Sequence, residues 1–301
     1  MMNEIEQFQS YLLKRDRSPK TITGYGTDLR QFHKWFGLDR SLAELTTDDV
    51  RRYRDHLQTK GAKPNTISRH LASLVSFGAW GSSLGHLFEE NPALYIEPVK
   101  VSMLAPRWLD RNQKKKLLVA VDDDLHHARE KYPRLWLLRQ RDAVIVKLLL
   151  STGLRVGELC DLRLPDVSLG ERKGSLLVRN GKGRKQRVVA VNLELRKELS
   201  DWLQIRPKAK SDYLFIGQKG EPIHSRVVQR LMERYREMAG LENVTPHTLR
   251  HTFARGLLDS GANPFEVAKL MGHSSLDSTM RYVQPSEDDL QKVVERLAQA
   301  E

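Results

Sequence analysis

Apolar side chains recur at steps of three and four residues over most of the first 85 residues, the spacing that gathers them on one face of a helix. Ser18 followed by Pro19 is typical of a helix cap and first turn, and apolar positions recur after it from 22 to 36. Similar starts near residues 47 and 64 predict two more helices, and the segment 4–15 predicts another. The pattern therefore indicates an N-terminal domain of four helices.

The periodicity changes between residues 175 and 191. Two runs rich in β-branched residues, SLLVR and RVVAV, flank the sequence NGKGRKQ, whose glycines allow the positive φ angles of a hairpin turn. YLFI at 213–216 is the candidate for a third strand. Around these strands the pattern predicts helices at about 110–121, 139–152, 155–162, 225–239, 246–260, 264–271 and 276–282.

A stretch without periodicity separates the two regions. Residues 86–106 gather several prolines, which is typical of a linker between domains. We therefore predict an N-terminal helical domain at 1–88, a linker at 89–106 and a second domain at 107–301. The predicted fold class is mainly α, with a small β-hairpin or three-stranded sheet, in two domains.

Composition narrows the classes of partner. The 301 residues include 50 Lys and Arg against 38 Asp and Glu, a net charge of +12, which favours nucleic acid first and an anionic membrane second. The longest apolar run, AVIVKLLL at 143–150, is too short for a bilayer, and the N-terminus lacks the apolar core of a secretory signal. We therefore expect a cytoplasmic protein. Cys160, the single cysteine, is expected to fill the core.

The motif HTLRH at 247–251 carries the first candidate chemistry. His247 and Arg250 are three residues apart and share a helix face, and a guanidinium fork suits a phosphate or carboxylate. His247 alone equally fits a histidine of the capping region. Arg155 follows a turn and fits either an anion site or an ion pair with Glu158, and Lys182 at the hairpin tip can enter a site or remain in water.

A zinc site is the competing interpretation of the same motif. His247 and His251 have the i, i+4 spacing of two helical ligands. The intervening TLR lacks the glutamate of a zinc protease, the chain offers no cysteine pair, and nearby arginines would repel a dication. The sequence therefore predicts no metal site and no cofactor.

Five motifs in order, STGLRVGEL, GKGRK, HTLRH, MGHSS and a tyrosine nine residues after that histidine, resemble the signature of the tyrosine recombinases. This family comprises phage integrases and Xer-type recombinases, and SPKTITGYGTDLRQF resembles its helical core-binding domain. The resemblance implies a site-specific recombinase that cuts and rejoins DNA through a 3′-phosphotyrosyl intermediate without metal or ATP. Integration, excision and dimer resolution are all compatible with it.

The resemblance also implies a role for each matching residue. Guanidinium groups placed beforehand around a phosphate act most strongly as charge develops on its oxygens, and a phenol with a pKa near 10 needs assistance at neutral pH. The implied roles are Tyr282 as nucleophile, Arg155 and Arg250 as phosphate clamp, Lys182 as proton donor to the 5′ oxygen, His247 in acid–base transfer, His273 as hydrogen-bond donor to the phosphate, and Glu158 as the carboxylate that steadies the site.

Basic residues on the N-terminal helices suggest how the DNA is contacted. The candidates are Arg51, Arg54, Arg69 and His70, and the two basic domains could close around a duplex. The resemblance implies double-stranded DNA with inverted-repeat half-sites, so we expect the protein at the nucleoid.

The tail after Tyr282 carries an apolar stripe formed by Leu290, Val293, Val294 and Leu297. This stripe can pack on its own domain or on a neighbouring subunit. In the family, an exchanged terminal helix links four protomers, which implies a homo- or hetero-tetramer on DNA.

One segment departs from the resemblance. Residues 122–142 are longer than the connection typical of Xer-type members, which suggests a surface insertion that contacts DNA or another subunit. Two alternative functions use the same fold. One is a type IB-like topoisomerase or telomere resolvase, and the other is a catalytically silent DNA-binding regulator. The complete set of candidate residues argues against the regulator, which has no need of a positioned phenol.

Overall fold

The computed structural model describes residues 2–83, 87–97, 106–179, 186–273 and 275–283. The chain divides into two compact units, Met1–Met103 and Leu104–Glu301. Within the described ranges both units are dominated by helices, and a three-stranded antiparallel sheet belongs to the second unit. This confirms the predicted fold class. None of the helices in these ranges has the length and apolar character to cross a bilayer.

The first unit contains the four helices that the sequence predicts. Ser18 caps the second helix by accepting a hydrogen bond from the Thr21 N–H (3.1 Å), and Thr46 caps the third. The core is rich in aromatic rings, for example Phe32 and Tyr53, whose centroids are 5.0 Å apart in an edge-to-face arrangement. The helices are α1 (Met2–Lys14), α2 (Pro19–Phe36), α3 (Thr47–Thr59) and α4 (Pro64–Ser83).

Part of the predicted linker packs with the first unit. Phe88, Ala93 and Ile96 are buried in the core of that unit. Asn91 donates a side-chain hydrogen bond to the carbonyl of Val75 on α4 (3.0 Å). Residues 98–105 lie outside the described ranges, so the domain boundaries 1–88, 89–106 and 107–301 stay a prediction.

The second unit is built around one buried helix. Its elements are α5 (Arg111–Lys131), α6 (Pro133–Thr152), α7 (Val156–Cys160), β1 (Val167–Leu169), β2 (Gly174–Val178), β3 (Arg187–Val191), α8 (Leu193–Ile205), α9 (Ser225–Met238), α10 (Pro246–Asp259), α11 (Pro264–Met271) and α12 (Asp277–Met280). Near its C-terminus α6 is apolar on most sides, except at Lys147, and it packs against α5, α8 and α10. Helix α8 was not predicted from the sequence.

The sheet contains the predicted hairpin and an unpredicted third strand. Strand β2 pairs with β3, and Leu176 lies opposite Val189. The third strand is β1, which pairs with β2, and the stretch 213–216 is not a strand. The last three residues of this stretch are buried, and the indole of Trp202 donates to the carbonyl of Leu214 (3.1 Å). The prediction for 213–216 was wrong because each end of the run forms an isolated bridge, Tyr213 with Arg163 and Ile216 with Pro222, and the run does not form a continuous ladder.

The segment 122–142 is helical apart from Tyr132, and its residues 129–135 are exposed, so a contact of this surface with DNA or another subunit stays a prediction. The segment forms the end of α5 and the start of α6, with an exposed Tyr132 between them. Its final residues, Arg141 and Asp142, are buried, and Arg234 of α9 bonds Asp142 (3.2 Å). This part of the segment therefore belongs to the packed interior of the unit, where charge pairing allows polar residues to be buried.

Two glycines bring the C-terminal ends of α6 and α11 together. Gly153 (φ 59°) ends α6 and Gly272 (φ 63°) ends α11, both in the left-handed conformation that favours glycine. A Cβ atom at Gly153 would lie 2.5 Å from the ring of Phe253 and 2.9 Å from the sulfur of Met271. Both the backbone angle and the space therefore require glycine at 153.

We expect Gly153→Ala to lower the free energy of unfolding by about 2 to 4 kcal/mol, because it combines a left-handed alanine with overpacking. Gly240→Ala is the matched control, since Gly240 has φ 60° but no atom within 4 Å of its Cβ position. It should lose about 1 kcal/mol. Urea unfolding of both variants measures the difference, and equal losses would show that close packing at Gly153 does not matter.

Candidate active site

Arg155 stands immediately before α7 in an extended conformation (φ −69°, ψ 148°). Its backbone N–H donates to Glu158 Oε2 (2.9 Å), and its guanidinium donates to Glu158 Oε1 (2.8 Å). The other terminal nitrogen donates to the carbonyl of Gly272 (3.1 Å). The ion pair that the sequence allowed is therefore present, and it joins the start of α7 to the end of α11.

Glu158 is buried and binds a second arginine. Arg187, the first residue of β3, donates to both carboxylate oxygens (2.8 and 2.7 Å), the bidentate geometry that makes such pairs strong. Burial alone would raise the pKa of Glu158, but the hydrogen bonds from Arg187 and from the Arg155 backbone outweigh it and lower the pKa to about 2. Arg187 was not predicted from the sequence, because one more basic residue beside a basic turn carries no distinct signal.

Arg250 is only 4% exposed and is held by backbone oxygens. One terminal nitrogen donates to the carbonyl of Gly153 and the other to the carbonyl of Met271 (2.7 Å). Both acceptors lie at the C-terminal ends of helices, where the helix dipole is negative. Burial first, and then repulsion from Arg155, lower the pKa of Arg250 to about 10, so the guanidinium remains charged at neutral pH.

Tyr282 lies in the interior close to these arginines, with 3% of its surface exposed. Its hydroxyl is 2.5 Å from Nδ1 of His251, and its ring lies almost parallel to that of His273 with centroids 6.5 Å apart. Burial raises the pKa of the phenol, whereas the charges of Arg250 and Arg281 oppose that rise. Tyr282 is therefore a protonated, buried phenol and not a surface tyrosine.

His251 is the second residue that the sequence analysis missed, since it was considered only as a zinc partner of His247. Burial, followed by the effects of His247 and Arg250, lowers the pKa of His251 to about 4. The imidazole is thus neutral at physiological pH. A neutral ring nitrogen can accept the hydrogen bond of the Tyr282 hydroxyl.

The two predicted histidines occupy different environments. His273 Nδ1 lies 2.7 Å from the hydroxyl of Thr279, and burial, then the charge of Arg250, lower the pKa of His273 to about 4. His247 is exposed in the first turn of α10, with its ring centroid 6.4 Å from that of His251. Among the residues that the structure describes, no group of three or more His, Cys, Asp or Glu could hold a metal ion.

Three further predictions concern residues beyond or far from this cluster. Lys182 and the apolar stripe at 290–297 lie outside the described residues, so their roles stay predictions. His70 requires a correction, because it is 2% exposed and its ring faces the Tyr53 hydroxyl (3.0 Å) and Asp28 (3.4 Å). A histidine buried in this way cannot reach a DNA base.

The three arginines predicted with His70 remain accessible to different degrees. Arg51 is exposed on α3, and Arg54 on the same helix pairs with its neighbour Asp55 (2.9 Å). Arg69 is about half exposed and pairs with the buried Asp28 (2.7 Å). Arg69 therefore compensates a buried carboxylate of the first unit, whatever contact it makes with DNA.

Comparisons with known proteins cover both units. Residues 107–288 match the model of the phage integrase family, and residues 5–82 match that of the phage integrase N-terminal SAM-like domain. Tyrosine recombinase XerC of Corynebacterium efficiens is 33% identical, over 100% of this chain and 91% of the relative. Tyrosine recombinase XerA of Thermococcus kodakarensis is 32% identical, over 97% of this chain and 94% of the relative.

Among solved structures, XerH site-specific recombinase bound to difH substrate, in a pre-cleavage complex, aligns with a TM-score of 0.73 at 25% identity. The alignment covers 93% of this chain and 80% of that one. The family models, the full-length relatives and the arginine and tyrosine cluster agree with one another. The chain therefore belongs to the phage integrase family and is a tyrosine-type site-specific DNA recombinase.

Proposed function

We propose that this recombinase cuts and rejoins DNA strands through Tyr282, with Arg155 and Arg250 holding the attacked phosphate. The observation that carries the proposal is the buried phenol of Tyr282 within the field of Arg250. The phenol oxygen bonds to phosphorus as the bond to the 5′ oxygen breaks, which leaves a 3′-phosphotyrosyl link and a free 5′ hydroxyl. Attack by a 5′ hydroxyl of another strand reverses the step, so the bond energy is retained without ATP or metal.

The charge balance of the site supports this assignment. Arg155 and Arg187 share Glu158 as their carboxylate, and Arg250 is held by backbone carbonyls. Three guanidinium groups around one carboxylate leave a formal surplus of two positive charges. Because these groups are already oriented, they can stabilise charge on the phosphate oxygens without reorganising.

Proton transfer is assigned to the groups around the phenol. The neutral His251 lies against the Tyr282 hydroxyl and is suited to receive its proton during attack. His247, one helical turn earlier, is assigned to acid–base transfer and His273 to a hydrogen bond with the phosphate. Lys182 is assigned to protonate the departing 5′ oxygen.

The DNA partner follows from charge and from the relatives. The net charge of +12 favours a duplex, and the XerH relative is bound to its difH substrate. We propose that this protein binds inverted-repeat half-sites at the nucleoid as a homo- or hetero-tetramer. The C-terminal segment 286–301 would link the subunits.

Covalent trapping tests the role of Tyr282. The substrate is a nicked half-site recovered from random duplexes by repeated binding to the protein, called here the selected half-site. With a metal chelator present, wild type should form a denaturant-resistant protein–DNA product and Tyr282→Phe should form none, at equal DNA affinity. Tyr132→Phe, at an exposed tyrosine, is the control and should react like wild type. A product with Tyr282→Phe, or none with wild type despite binding, would contradict the proposal.

Replacing the shared carboxylate tests the arginine arrangement. Glu158 has its pKa lowered from 4.5 to about 2, so its ionised form stabilises the fold above about pH 4.5. That contribution, about 3 kcal/mol, is lost as the pH falls from 4.5 towards 2. Urea unfolding between pH 2.5 and 7 should show this slope in wild type and in the exposed control Glu242→Gln, but not in Glu158→Gln. Parallel curves for all three proteins would contradict the shared-carboxylate account.

The C-terminal stripe provides a test of subunit assembly. Replacing Leu290, Val293, Val294 and Leu297 with serine should impair four-subunit assembly and strand exchange, but leave binding to one half-site nearly unchanged. Serine at the polar positions Gln291, Glu295 and Gln299 of the same segment is the control. Sedimentation of protein on paired half-sites measures assembly, and unchanged recombination by the stripe variant would refute the proposal.

A further inference from the structure

Arg255 of α10 bonds to the main chain of the candidate nucleophile. Its Nη1 donates to the carbonyl of Tyr282 (3.2 Å). Its Nε pairs with Asp259, one turn later on the same helix (2.8 Å). The Arg255 side chain is 30% exposed, and its hydrogen bond to the candidate catalytic groups described above goes to the backbone of Tyr282.

The other face of Arg255 is covered by an aromatic ring. The guanidinium carbon lies 5.4 Å from the centroid of Trp108, within the range of a cation–π contact. The next residue, Leu109, donates its backbone N–H to the hydroxyl of Thr252 on α10 (2.9 Å). This buried hydrogen bond holds the Trp108 region against the helix that carries Arg255.

Helix α10 therefore contacts Tyr282 through two side chains. His251 contacts the hydroxyl and Arg255 contacts the carbonyl, and these two residues are four apart, hence on one face of the helix. Tyr282 is also held by its backbone N–H, which donates to the carbonyl of Thr279 (2.9 Å), so Arg255 adds a constraint on the carbonyl side of the residue. Together these contacts fix both the backbone and the direction of the ring, and a nucleophile misplaced by about 1 Å can lose about 100-fold in rate.

We infer that Arg255 is a positioning residue for the nucleophile, and that Asp259 and Trp108 orient its guanidinium. This inference rests on the proposed role of Tyr282. Arg255 acts only through the main chain of Tyr282 and takes no part in proton transfer. Trp108, near the start of the second unit, thereby influences the position of the Tyr282 phenol through the side chain of Arg255.

Single-turnover cleavage of the selected half-site tests the inference. Arg255→Ala should form the covalent product about 10 to 100 times more slowly than wild type. The final amplitude and the half-site affinity should be unchanged. The cleavage rate of Arg255→Lys should lie between the rates of wild type and Arg255→Ala, because an ammonium group lacks the planar fork that serves several acceptors. Lys197→Ala, which removes an exposed positive charge from α8, is the control and should react like wild type.

A second substrate separates positioning from leaving-group chemistry. A half-site with sulfur in place of the bridging 5′ oxygen has a leaving group that needs no proton. Arg255→Ala should stay equally slow on it, because the defect lies with the attacking group. Rescue by this substrate would overturn the inference and assign Arg255 to the leaving-group side, and a wild-type rate with Arg255→Ala on both substrates would also overturn it.

Trp108 supplies an internal check. Trp108→Ala should slow cleavage less than Arg255→Ala, Trp108→Phe should be close to wild type, and the double variant should be no slower than Arg255→Ala alone. Additive defects would contradict the action of Trp108 through Arg255.

A lowered amplitude with an unchanged rate constant would indicate misfolding and would refute positioning. If Tyr282→Phe itself forms product, the proposed function fails, whereas a wild-type rate for Arg255→Ala removes only this inference.

Discussion

Two arginines share one buried carboxylate and a third arginine is buried beside them, and the arrangement of the second unit depends on how that excess positive charge is compensated. Glu158 binds Arg155 and Arg187, while Arg250 is buried nearby and its pKa is lowered in part by those two arginines. Bringing like charges together in a poorly solvated pocket is unfavourable. Carbonyls at the ends of α6 and α11 offset part of that cost. The compensation is incomplete, which makes the pocket receptive to an anion such as a DNA phosphate.

The same two helix ends explain why the sequence motifs are short and far apart. In STGLR, Gly153 ends α6 and Arg155 follows two positions later. In MGH, Gly272 ends α11 and His273 follows directly. Each left-handed glycine turns the chain out of its helix and leaves carbonyls available as acceptors. Arg250 and Arg155 use those carbonyls, so the glycines and the arginines of separate motifs form one structural unit.

Much of the fold could be predicted from local sequence patterns, whereas contacts between residues far apart in the chain could not. Helix starts such as that at Ser18, and the hairpin strands, are encoded by spacing and caps over a few residues. Arg187 meets its carboxylate across 29 positions, and His251 meets Tyr282 across 31, so no local pattern announces either contact. His70 was misassigned because a buried polar partner cannot be foreseen from a basic cluster. The roles of Arg155, Arg250 and Tyr282 could be predicted because the family resemblance assigned them, whereas residue spacing alone left several interpretations open.

Without DNA, the positive charges of the site are already in place, but the candidate nucleophile is not yet activated. The guanidinium groups are oriented without substrate, whereas the Tyr282 phenol is protonated and bonded to a neutral His251. Phosphate binding would add the missing negative charge, and proton transfer to the imidazole would accompany attack. In this account the arginines serve mainly to neutralise phosphate charge.

The most direct test of charge neutralisation by the arginines is cleavage of a methylphosphonate half-site. In this substrate a methyl group replaces one charged oxygen of the scissile phosphate. Arg155→Ala leaves the Glu158–Arg187 pair in place, and on an ordinary phosphodiester it should be about 100 to 1,000 times slower than wild type. On the neutral methylphosphonate we expect this defect to shrink to within about tenfold, since there is less charge to stabilise. An equally large defect on both substrates would contradict charge neutralisation as the function of the arginines.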